Sequence, residues 1–121
     1  MSKIITVLIG VLTLSGCYYD NEEDLYPSLS NSCDTTNVTY SMTVAPIMQN
    51  NCNQCHSQSI ASGGIITVGY NDLIIIVNSG RLWGTINHLA GYSFMPKNGN
   101  KLSDCDIAKI GKWIHNGAPN N

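Results

Sequence analysis

A small domain with helices at both its ends is what the sequence predicts, and three observations point to it. The segment from Ser103 to Pro119 carries a full set of helix start, stripe and stop signals. The stretch YSMTVAPIMQNN, residues 40–51, also reads as helical, with Pro46 tolerable in a first turn. The length of 121 residues, 43% hydrophobic and 12% charged, suits one small domain and is too short for two of ordinary size.

In chain order, residues 1–16 come first, as a signal peptide. Lys3 precedes an apolar run from Ile4 to Leu14, and small residues then lead to Cys17. The run is about half the length a membrane helix needs. Its end, Leu14-Ser15-Gly16-Cys17, resembles the lipobox of bacterial lipoproteins, which implies that Cys17 becomes the lipid-bearing first residue after cleavage. An ordinary secretory signal with an incidental cysteine is the plainer alternative. The lipobox resemblance implies an exported bacterial lipoprotein, anchored to a membrane through Cys17 and facing the periplasm or the cell surface. Residues 17–32 hold Asp20, Glu22, Glu23 and Asp24, no basic residue and no hydrophobic periodicity, and read as a flexible acidic tether. An acidic cluster in this position also resembles surface-export signals of some Bacteroidetes lipoproteins, and a soluble spacer would look the same.

Residues 33–121 then form the domain, with five basic and four acidic residues. The whole-chain charge of −2 and the lone arginine, Arg81, argue against a nucleic-acid partner, because phosphate neutralisation needs a basic face. In the middle of the domain, GYNDLIIIVNSGRLWGTINHLAG suggests two short helices, with Asn71 or Asp72 capping the first and Gly80 separating them. The β-rich run Leu73 to Val77 leaves a buried strand open there. The last helix has Ser103 as its cap, Asp106 at the capping-box position, and an apolar stripe of Ile107, Ile110 and Ile114 with Trp113 beside it. Gly117 and Pro119 end it. Gly111 is costly in a helix interior, and a close crossing with the first helix near Ala45 would account for it.

The chemistry concentrates in Asn51-Cys52-Asn53-Gln54-Cys55-His56. A structural zinc site needs four ligands, but no second cysteine pair exists, and His88 and His115 are 27 residues apart. A thioredoxin-like disulfide needs a strand before the pair, where a helical pattern stands instead. Attachment of a c-type haem uses every residue of the motif. At helical spacing Cys52, Cys55 and His56 face one side of a turn, so two thiols can take up vinyl groups while His56 reaches the iron. Export suits this reading, since bacteria attach such haems outside the cytoplasm.

At these residues the chain resembles the single-haem cytochrome c family. The resemblance spans residues 40–118 or so and takes in VAPIMQNNCNQCHS, SGGI, GRLWGTINH, FMPKNGNKLSD and IAKIGKWIHNGAP. The arrangement is especially like the short cytochrome c domains of Bacteroidetes lipoproteins. It implies a small all-α bundle wrapped around one covalent haem c, and it decides for helix over strand at residues 73–77.

A six-coordinate electron carrier needs a second strong axial ligand. Met42 and Met48 precede the attachment motif too closely to reach the opposite haem face, whereas Met95 lies 39 residues after His56. Pro96 stiffens its loop and Gly99 relieves backbone strain. This Met-Pro loop matches the family's axial methionine. A plain core methionine is the alternative for Met95, and His88 is the competing ligand; His115 reads as solvent-exposed. Arg81 and Trp83, with Tyr92 behind them, are candidates for contacts to haem propionates. Lys97, Lys101, Lys109 and Lys112 could flank a haem edge that docks acidic partners, or form a solvated face. With Cys17 lipidated and Cys52 and Cys55 acting together, Cys33 and Cys105 remain as a disulfide pair. The expected role is transfer of single electrons between redox protein partners, not enzymatic turnover. An open iron site that binds small gases or peroxide is the rival reading, and a structural role in a larger assembly is a third. Asn37-Val38-Thr39 fits a glycosylation sequon, a weak signal in a bacterial lipoprotein.

Overall fold

The computed structural model describes residues 33–121; the readings of residues 1–16 as a signal peptide, of Cys17 as a lipidation site and of residues 17–32 as a tether all lie outside the described residues. Every regular element among the described residues is helical, as the fold class requires. A π-helical turn, Tyr40–Val44, runs directly into α1, Ala45–Asn51. Thr39 opens the turn, its hydroxyl accepting a hydrogen bond from the Met42 N–H at 3.2 Å. Pro46 stands near the start of α1, so its missing N–H falls where the chain passes from the π-helical turn to the α-helix. Val44, Ile47 and Met48 share one face and are buried, while Met42 is exposed.

The middle segment forms α2, Tyr70–Asn78, and α3, Arg81–Ile86. A strand over residues 73–77 would bury alternate side chains. Instead Leu73 and Ile76 are buried and Ile75 is 67% exposed, the spacing of a helix face. Neither Asn71 nor Asp72 caps α2. The cap is Gly69, at φ 86° and ψ 153°, a conformation that glycine alone adopts without strain, and Asp72 lies in the first turn, where a carboxylate suits the helix dipole. Gly80, left-handed at φ 73°, both stops α2 and starts α3.

The last helix, α4, spans Asp104–His115. The Ser103 hydroxyl accepts from the Asp106 N–H at 3.1 Å. At the other end Gly117 N–H donates to Ile114 and Ala118 N–H to Trp113, at 3.0 and 2.9 Å, the paired bonds of a Schellman stop with Gly117 at φ 89°. Ile107, Ile110 and Trp113 point into the core with Leu73, Leu82 and Ile86. Trp113 is fully buried against the rings of Tyr40 and Tyr70, and its Nε1–H donates to the Pro119 carbonyl at 2.9 Å. It is core, and Cys33 and Cys105 are joined as a disulfide that ties the start of the described chain to α4 across 72 residues.

Gly111 serves a different neighbour from the one its position in the sequence suggests. A Cβ there would lie 2.9 Å from Cη2 and Cζ3 of Trp83. The glycine makes room for the Trp83 indole from α3, not for a crossing near Ala45.

Candidate cofactor-binding site

The cysteine motif forms its own turn at the end of α1. Cys52 terminates α1, its N–H donating to the Met48 carbonyl at 2.8 Å. The Cys52 carbonyl then accepts from the N–H groups of both Cys55 and His56, at 3.1 and 3.0 Å. Residues i, i+3 and i+4 are thus held together by one hydrogen-bonded turn, as the spacing requires, although the regular helix has already stopped.

The following loop fixes the imidazole. Thr67 N–H donates to the His56 carbonyl at 2.9 Å, and the Thr67 hydroxyl, on a buried residue, donates to Asn53 Oδ1 at 2.8 Å. The loop therefore closes back on the motif, which brings the Ile65 carbonyl 3.2 Å from His56 Nδ1. A carbonyl only accepts, so that contact places the proton on Nδ1 and leaves the Nε2 lone pair free for a metal. Histidines that ligate metals commonly carry such a backbone partner on the other nitrogen.

Two adjoining hollows open beside this turn, of about 460 and 180 Å³. Both are lined by Cys52, His56, Ile86 and Met95, so they form two lobes of one cleft. Cys55, Leu102 and Lys97 complete the larger lobe; Ile76, Leu82 and Arg81 belong to the smaller. Apolar walls with a few convergent polar groups are the usual lining of a cofactor site. The donor set fits a c-type haem: two cysteines outside the disulfide, an imidazole with a free nitrogen, and a thioether share the cleft. Burial of Cys52 pushes its thiol up to about 11, so at neutral pH it is protonated, while Cys55 is exposed.

Met95 is held from two sides. Its N–H donates to the Thr85 carbonyl at the end of α3, at 3.2 Å, and its carbonyl accepts from His88 Nε2 at 3.0 Å. The His88 ring stacks on Phe94 at 4.6 Å and 6°. His88 itself is left-handed, at φ 56°. In the turn after Pro96 the left-handed residue is Asn98, at φ 58°; Gly99 does not take that conformation. A Cβ on Gly99 would meet the Pro96 ring at 3.4 Å, an ordinary contact, so neither backbone strain nor crowding requires a glycine there.

The remaining candidates divide. Arg81 reaches the cleft wall, whereas Trp83 lies over Gly111, 39% exposed and outside both lobes. The Tyr92 ring covers Gly84 and borders a separate hollow with His88, Phe94 and Lys97. His115, Lys101 and Lys112 are exposed, and Lys109 is half-buried. Met48 is buried in the core, away from the cleft lining. Among the described residues no three His, Cys, Asp or Glu side chains gather as a metal cluster, so a zinc centre is not assembled there. No described helix is long and apolar enough to cross a membrane. The Ile65 carbonyl and the Asn53–Thr67 bond escaped sequence reasoning, for a backbone acceptor carries no signature in residue identity. Leu102 had a signal, an apolar residue directly before the capped α4. No protein-family description, curated protein or solved structure matches this chain.

Proposed function

We propose that this chain is a lipid-anchored cytochrome of c type, an electron carrier whose single covalent haem c has His56 and Met95 as axial ligands. The observation that carries the reading is the convergence of Cys52, Cys55, His56 and Met95 on one apolar cleft, although Met95 is 39 residues from the motif. When bound, a haem supplies an iron centre that gains and loses one electron.

The chain's own residues would do the rest. The Cys52 and Cys55 thiols would each add across one vinyl group and fix the cofactor in place. The Ile65 carbonyl keeps His56 in the tautomer that presents Nε2. Ile76, Leu82, Ile86 and Leu102 would pack apolar surface against the cofactor, and with His56 and Met95 both engaged in holding it the site would favour electron exchange over substrate binding. Arg81, on the wall of the smaller lobe, would offer charge-assisted hydrogen bonds to propionates, and Lys97, exposed beside the larger lobe, would suit an acidic redox partner. The membrane attachment rests on the lipobox at Cys17.

The test is expression with a haem-attachment apparatus, followed by intact mass and optical spectra of the oxidised and reduced protein. One haem per chain, lost when Cys52 and Cys55 are replaced by alanine, with a low-spin spectrum and the ferric methionine charge-transfer band, is the expected result. A five-coordinate high-spin resting spectrum would sink the carrier reading.

A further inference from the structure

We propose that His88 is a positioning residue for Met95: its imidazole clamps the Met95 carbonyl and so holds the thioether in the cleft. The inference rests on the haem reading of that cleft. His88 competes in the sequence for the role of axial ligand itself. In the fold its Nε2 is already engaged by the Met95 carbonyl at 3.0 Å, and its ring lines the outer hollow instead of either lobe of the cleft.

The geometry suits a clamp. Between α3 and α4 the chain runs without regular structure, and Gly91 through Phe94 and Lys97 through Lys101 are exposed. Met95 and Pro96 are the half-buried exception. A methionine in so exposed a stretch stays in one place only if its backbone is pinned. Two bonds do this from the end of α3: Thr85 takes the Met95 N–H, and His88 takes the Met95 carbonyl. The His88 N–H also donates to the Thr85 carbonyl, at 3.3 Å, so one carbonyl holds the backbones of both His88 and Met95. The left-handed backbone at His88 turns the chain back, and the parallel stack on Phe94 fixes the ring plane that aims Nε2. Since the acceptor is a carbonyl, His88 donates from Nε2.

Loss of the donor would let Met95 leave the cleft more often and so ease entry of an outside ligand to the sixth position. The experiment uses the haem-loaded ferric protein, titrated with imidazole, with the methionine charge-transfer band followed in parallel. His88→Phe keeps an aromatic ring on Phe94 and removes the donor. We expect imidazole to bind roughly 2- to 10-fold tighter and the band to weaken, the scale of one hydrogen bond's net worth. His88→Leu carries the same expectation should H88F not accumulate. His88→Gln retains an N–H at similar reach and should restore both readouts. Wild-type imidazole affinity and band in H88F and H88L would overturn the proposal. So would equal loosening in H88Q, which would assign the effect to ring packing. A wild-type protein that takes up no covalent haem would overturn the underlying reading and this inference with it, a result told apart by mass before any titration.

Discussion

At the scale of single residues, the two cysteines of the motif are unlike each other. Cys52 is held up to about 11 by burial while Cys55 is exposed, and only the thiolate is a nucleophile. In haem-free protein near neutral pH, iodoacetamide should modify Cys55 well before Cys52, with the Cys52 rate climbing as pH rises toward 11; peptide mass mapping over a pH series reads this. Equal rates at pH 7 would contradict the difference in exposure between the half-buried Cys52 and the exposed Cys55. Met95 offers a second test: Met95→Ala should abolish the charge-transfer band and permit imidazole binding without displacement, whereas Met42→Ala, at an exposed position outside the cleft, should leave the spectrum unchanged. That Cys52, Cys55, His56 and Met95 line one cleft was legible, because each is a residue type with its own chemistry at a telling spacing. The roles of Ile65, Thr85 and His88 were not legible, for they act through backbone acceptors and one left-handed turn.

At the scale of elements, α3 and the loop after it form one unit. Gly84 is buried, and a Cβ there would stand 2.5 to 2.6 Å from Cγ, Cδ1 and Cδ2 of the Tyr92 ring. Those atoms are near the tyrosine backbone and cannot swing aside cheaply. Gly84→Ala should therefore cost about 1–3 kcal/mol by overpacking, despite alanine's better helix propensity, and should displace the segment that leads to Met95. Urea unfolding of the haem-loaded protein measures the first effect and the charge-transfer band the second. Ser103→Ala, which removes the α4 cap, should cost about 1 kcal/mol with no spectral change. α4 was readable to its last turn because cap, stripe and stop all fall in local sequence. α2 was ambiguous, since an unbroken β-branched run has no period until its neighbours choose which side chains to cover. Likewise Gly111 announced a close approach but not its partner: Trp83 comes from another helix, and residue identity at one position says nothing about who arrives from elsewhere.

For the molecule as a whole, about 89 described residues bury a modest set of apolar side chains around the cleft, and domains of this size often lean on staples. The disulfide is one. Closing 72 residues, it should contribute about 4 kcal/mol by chain entropy, so the Cys33→Ser, Cys105→Ser double variant should unfold at clearly lower urea. Both cysteines are changed together so that no lone thiol is left to react.

The bridge also decides where mechanical load travels. A pull applied to the chain ahead of Cys33 meets the covalent link to Cys105 at the first turn of α4. For a load between that end and the C-terminal tail, the covalent path crosses the sulfur bond into α4, and the 71 residues from Asp34 to Asp104 form a closed loop that the load cannot draw out into extended chain. Those residues include Cys52, Cys55, His56 and Met95, so every one of these cleft-lining side chains lies within the closed loop.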